Sequence, residues 1–182
     1  EEASAAAPAP AKAKAESPAK KKPRTGTVEP APTDPALVEL AAALPPKLRL
    51  GTSSWSYPGW ANLVWDGEYA ETVLSKNGLS ALAKHPLFRT VSVDRNFYRA
   101  LTASQYARYA AMVPNDFRFM VKAPSLVTDA TVRDESGRGM QANPVFLSSE
   151  IARQDFVLPA LEGLGHRIGV LVFQLSPIPG HL

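Results

Sequence analysis

Four short apolar runs, separated by segments of helical character, constrain this chain more than any other feature. They lie at 48–53, 88–94, 117–123 and 168–175. The last, Ile168–Leu175, is almost unbroken, the pattern expected of a parallel strand buried on both faces. Between the first two runs a helix is expected over 71–84, weakened by Gly78 and ended by Pro86. Between the second and third, Thr102-Ala-Ser-Gln105 fits a capping box. Tyr106, Tyr109, Ala110 and Val113 then recur at i, i+3, i+4 and i+7, one buried helical stripe. Between the third and fourth, residues 128–143 form a long polar stretch that reads as a loop. A helix over 149–161 follows, with Pro159 expected to kink or shorten its last turn. This β-α-β-α-β-α-β order predicts an α/β fold with a parallel sheet. Both an open doubly wound sheet and part of a barrel fit it.

Composition divides the 182 residues in two. Residues 1–46 are rich in Ala, Pro, Lys and Glu, and every Trp, Tyr and Phe comes later. A stretch so poor in buriable surface does not offset its ordering entropy, so a disordered tail is expected over 1–46 and a folded domain over 47–182. Within the tail, residues 34–44 have a local helix signal, with Asp34 as cap, Pro35 in the first turn and Pro45-Pro46 as the stop. The tail carries no net charge, but Lys20, Lys21, Lys22 and Arg24 bunch together. That cluster reads as a solvated linker, or as a weak contact for nucleic acid.

The chain has no cysteine, which excludes disulfides, thiolate nucleophiles and cysteine zinc sites and fits a cytoplasmic protein. No apolar run of transmembrane length occurs, so no membrane partner is expected. Walker, dinucleotide-binding and Gly-x-Ser-x-Gly motifs are missing, and no motif names a cofactor. The three histidines, His85, His166 and His181, sit at a helix end, before the fourth strand and at the terminus, so no histidine metal site is expected. The metal alternative left by the sequence is a carboxylate-bound Mg²⁺ between Asp94 and Asp129.

The first strand opens into Gly-Thr-Ser-Ser-Trp-Ser-Tyr-Pro-Gly-Trp (51–60), a run of hydroxyl residues passing into an aromatic Pro-Gly loop. With VSVDRNFYR (91–99), PNDFRFMVKAP (114–124), LVTDA (126–130) and VLVFQLSP (170–177), it resembles the YecE-like proteins, the DUF72 family of uncharacterised TIM-barrel proteins. The resemblance implies a β/α-barrel, of which 48–177 supply only about the first four strands, since a full barrel takes about 250 residues. The expectation is a truncated barrel; if the chain is complete, a homodimer closing its sheet edges is the alternative. Two positions depart from the family pattern. A Glu-Ile-Asn common in the family is Ser92-Val93-Asp94 here, and a usual Thr-His is Thr128-Asp129.

Barrel sites lie at the C-terminal ends of strands. That rule selects four groups of candidate residues. The first is Ser53, Ser54, Trp55, Tyr57 and Trp60, whose hydroxyls and ring faces suit sugar or phosphate oxygens and stacked rings, or else simply cover the barrel mouth. The second is Asp94, Asn96, Tyr98 and Arg99, with Asp94 a general base or an ion-pair partner of Arg95 or Lys122. The third is Lys122, an anion holder, a Schiff-base former or a salt-bridge partner of Asp94, with Thr128 and Asp129 joining from the next loop. The fourth is Gln174 and Ser176, with Gln174 a substrate-orienting or structural amide. Asp94 and Lys122 are the expected catalytic residues and the others bind the substrate. Two functions follow. One is an enzyme doing acid/base or hydrolytic chemistry on a sugar- or phosphate-like small molecule. The other is a non-catalytic module binding a ligand or nucleic acid through the aromatic loop and basic tail.

Overall fold

A computed structural model describes residues 26–133, 140–178 and 180. Its centre is a four-stranded parallel sheet in the order β1-β2-β3-β6. The strands are β1 (Leu50–Thr52), β2 (Phe88–Val93), β3 (Arg118–Lys122) and β6 (Ile168–Val172), each inside an expected run. The α/β fold with a parallel sheet is therefore as the alternation predicted.

The crossovers carry the helices. Helix α1 (Pro35–Ala43) precedes the sheet, with Asp34 accepting from the Ala36 N–H as its cap. Helix α2 (Glu71–Leu82) joins β1 to β2. One turn, α3 (Arg95–Tyr98), and then α4 (Ala103–Ala110) join β2 to β3. The expected capping box opens α4: the Gln105 N–H donates to Thr102 Oγ1, and the Thr102 N–H donates to Gln105 Oε1 at 2.9 Å. After β3 come a turn, α5 (Ser125–Thr128), and an antiparallel pair, β4 (Thr131–Arg133) and β5 (Met140–Ala142). The stretch 128–143, expected as a loop, thus contains a small sheet. Its ladder is only three residue pairs long, too short to register as a periodic pattern.

The third helical segment also differs from expectation. Where Pro159 is expected to kink or shorten the last turn, the segment runs on through α6 (Ser149–Ala152), a π-helical stretch (Arg153–Val157) and α7 (Leu158–Leu164). Proline lacks an N–H and crowds the carbonyl four residues back. The wider π turn just before Pro159 absorbs both effects, with the Leu158 N–H donating to the Arg153 carbonyl.

Helices α2, α4 and α7 bury their apolar stripes on one face of the sheet. Leu74, Leu79 and Leu82 from α2, Tyr106 and Ala110 from α4, and Ala160 and Leu164 from α7 meet Val91, Val93, Phe119 and Val121. Gly163 on α7 lies against α4: a Cβ there would stand 2.3 Å from the Ala103 carbonyl oxygen. Among the described residues nothing covers the other face, contrary to the expectation of strands buried on both sides. Arg49, Thr90, Arg118 and Met120 line a cavity there of about 680 Å³, and Val170 is 55% exposed. An unbroken apolar strand reports only the side chains' character; which face is covered depends on where the crossovers place their helices.

Packed structure also begins well before residue 47. Val28 is buried, and Pro30 bridges Trp65 in antiparallel fashion. The Ala31 N–H donates to the Val64 carbonyl at 2.9 Å, and the Asp66 N–H to the Glu29 carbonyl at 3.0 Å. The tail expectation for 1–46 is corrected over residues 26–43. Residues 29–31 are held by partners in the Trp-rich loop 55–69, which local composition does not report. Residues 1–25, with the Lys20–Arg24 cluster, lie outside the described residues.

Candidate active site at the strand ends

In parallel strands residues two apart share a face. The register pairs Ser92 with Met120 and Lys122 with Val172. Ser92, Met120, Lys122 and Val172 therefore face the open side, while Val91, Val93, Phe119 and Val121 face the helices. Asp94 follows β2 directly, and Lys122 ends β3.

Asp94 and Lys122 meet. Lys122 Nζ lies 3.7 Å from Asp94 Oδ2, with both side chains about a third exposed. The other carboxylate oxygen, Oδ1, accepts a short hydrogen bond from the Ser92 hydroxyl, itself buried. Arg95 does not pair with Asp94. Its guanidinium turns toward the helices and donates to Ser75 Oγ at 2.7 Å and to the Tyr109 hydroxyl at 3.5 Å. The carboxylate is thus held by a buried hydroxyl on one side and an ammonium on the other.

Asn96 holds this arrangement from below. It is wholly buried, and its amide donates to the Lys122 carbonyl at 2.8 Å while its oxygen accepts from the Leu101 N–H at 2.9 Å. Expected as a substrate contact, Asn96 instead spends both amide atoms on tying the loop after β2 to the end of β3. Thr128 is likewise buried, with its hydroxyl donating to the Pro124 carbonyl at 3.2 Å.

The remaining candidates separate. Ser53, Ser54 and Trp55 join Asp94 around a cavity of about 280 Å³, which Ser56, Ser75, Ser92 and Arg95 complete. Trp55 is 7% exposed. It packs edge-on to Tyr109 at 5.0 Å, and its indole N–H donates to the Ser75 carbonyl. Tyr98, Arg99 and Asp129 line a second cavity of about 570 Å³, and Asp129 accepts from Ser176 Oγ at 2.5 Å. The Asp94–Asp129 pairing considered for Mg²⁺ is therefore split between two cavities. Among the described residues no group of three or more His, Asp or Glu side chains gathers around a metal-sized space. Tyr57 and Trp60 line neither cavity; they pack on one another at 5.5 Å, and Trp60 leans on the buried Trp65 at 6.0 Å. Gln174 is exposed in the segment after β6.

Sequence reasoning missed Ser92, Ser56, Ser75 and Arg95 as parts of the site. Ser92 had a signal, because the period of two puts it on the face of Asp94. Ser75 had none, since only the packing of α2 brings it there.

The sequence model of the family described as "Protein of unknown function DUF72" matches residues 49–181. The chain belongs to the DUF72 family. That span contains the whole parallel sheet and every site residue above. Two crystal structures of a DUF72 family protein from Enterococcus faecalis are similar to it. One is 21% identical, with a TM-score of 0.45, over 70% of this chain and 39% of that one. The other is 20% identical, with a TM-score of 0.36, over 54% of this chain and 35% of that one. The chain thus spans well under half the length of those DUF72 structures. No curated protein matches it. No helix among the described residues is long and apolar enough to cross a membrane.

Proposed function

We propose that this DUF72 protein is a cytoplasmic enzyme whose parallel sheet is one side of a β/α-barrel. Its substrate is a small sugar- or phosphate-like molecule bound at the C-terminal strand ends. One observation carries the reading: Asp94, a carboxylate in the wall of a strand-end cavity, faces the Lys122 ammonium of the adjacent parallel strand at 3.7 Å. Sites of parallel β/α folds lie at this end. The open sheet face supports the barrel, because a barrel keeps its helices outside and turns the other face inward.

The chemistry follows from the groups. Asp94 accepts a proton from a substrate hydroxyl or carbon acid. Lys122, 3.7 Å from that carboxylate, positions it from the adjacent strand. The Ser92 hydroxyl fixes the orientation of the carboxylate, and Asn96 fixes the strand end that carries Lys122. General acid–base catalysis by one positioned side chain contributes about 10²- to 10⁴-fold.

The test is a turnover screen of the full chain against pooled sugars, polyols and sugar phosphates, followed by product NMR. Asp94→Asn should lower turnover of any hit by at least about 10²-fold. Turnover unchanged in both Asp94→Asn and Lys122→Met would sink the assignment.

A further inference from the structure

We infer that the cavity beside Asp94 binds an uncharged polyol or monosaccharide, engaged through a vicinal diol, rather than a phosphate. The inference rests on the site proposed above and narrows its ligand.

Hydroxyl groups dominate the lining. Ser54, Ser56, Ser75 and Ser92 surround Asp94 and Arg95. Serine hydroxyls both donate and accept, so they match a ligand whose groups do both. A phosphate at neutral pH offers almost only acceptors. Ser54 Oγ and Ser56 Oγ stand 3.1 Å apart, and the Ser56 N–H donates to Ser54 Oγ at 3.2 Å. This makes a compact edge with hydroxyl capacity left over.

Charge argues the same way. A phosphate site needs cations aimed into it. Lys122 is turned to the Asp94 carboxylate, and the Arg95 guanidinium is held against the neutral hydroxyls of Ser75 and Tyr109. An incoming phosphate would meet Asp94 as a like charge. A carboxylate suits a diol instead. Each Asp94 oxygen has one protein partner, Ser92 or Lys122, and keeps a lone pair for one hydroxyl of an adjacent pair.

Size limits the ligand to one ring. The cavity is about 280 Å³, just under the roughly 300–1,000 Å³ of sites for drug-sized molecules.

The experiment is ligand-observed NMR on the full chain. The probes are neutral hexoses, pentoses and inositol, the matching deoxy sugars, and inorganic phosphate as competitor. At least one neutral polyol should bind saturably. Its deoxy analogue lacking one diol hydroxyl, and the Asp94→Asn variant, should each weaken it at least tenfold, and phosphate should not displace it. Ser56→Ala, on a half-exposed loop, is a second variant and should weaken binding severalfold without altering the circular dichroism spectrum. Displacement by phosphate, or no saturable binding by any polyol, overturns the inference. The proposed catalysis fails separately: a polyol that binds without being turned over supports this ligand class and removes the enzyme reading. Turnover of a sugar phosphate that phosphate inhibits does the reverse.

Discussion

Lys122 Nζ stands 3.7 Å from Asp94 Oδ2, across the gap between the ends of two adjacent parallel strands. The contact is long-range in sequence, and its geometry depends on Asn96, which bonds the backbone of Lys122 from the loop that carries Asp94.

The pair should matter more to function than to stability. Half-exposed ion pairs contribute roughly 0.2–1 kcal/mol. A double-mutant cycle of Asp94→Asn and Lys122→Met, read by urea unfolding, should give a coupling in that range that shrinks at high salt. A coupling several times larger would mean that the pair is a structural clamp rather than a site.

Gly78 sits in the middle of α2, where a Cβ would stand 2.7 Å from the Trp55 carbonyl oxygen. Helix propensity alone favours alanine there by about 1 kcal/mol. The clash should outweigh this, because the Trp55 loop forms one wall of the smaller cavity and is itself packed. Gly78→Ala should destabilise by about 1–2 kcal/mol and shift the Trp55 indole resonance. A stabilised variant would show that the loop gives way freely.

The Tyr106 hydroxyl is buried with no hydrogen-bond partner among the described residues. Removing such a group recovers a desolvation cost, so Tyr106→Phe should stabilise the fold by about 1 kcal/mol. Burial, with Tyr109 adding to it, pushes the Tyr106 phenol well above its ordinary 10.0. The unfolded chain therefore releases this proton first. Stability is full below about pH 10 and falls as pH rises beyond it. Urea midpoints measured across pH 9–11 should show a shallower alkaline decline in Tyr106→Phe than in the parent.

His85 stacks on Phe88 at 4.2 Å, and burial lowers its pKa below the ordinary 6.5. The folded form thus prefers the neutral ring, while the unfolded chain takes up a proton near 6.5. This contribution is present above that pH and is lost as pH falls below it. His85→Phe should flatten the loss of stability between pH 7 and 5. An unchanged slope would assign the acid sensitivity to other groups.

Local signals carried much of the architecture. The four strands, the capping box of α4 and the Asp34 cap of α1 are all written in neighbouring residues. Asp94 and Lys122 were legible as strand-end residues, and their pairing was one alternative among two. The misreadings share one cause. Trp55 read as a stacking aromatic or a cover of the barrel mouth and is buried edge-on to Tyr109; Asn96 read as a ligand contact and is a buried tie; residues 29–31 read as tail and pair with the Trp-rich loop. In each case the deciding partner lies far along the chain, and a local pattern does not contain it.

By itself, the sequence determined the four strands, the main helices and the parallel sheet, because side-chain periodicity and capping act over a few residues; its ordered motifs along 49–181 carried membership in the DUF72 family. Only the tertiary structure decided that Lys122 rather than Arg95 faces Asp94. It alone brought Ser75 from a helix to the site, split Asp129 from Asp94 and left one face of the sheet open. Those outcomes depend on strand register and on the side to which each crossover carries its helix. Both are set by contacts between residues tens of positions apart.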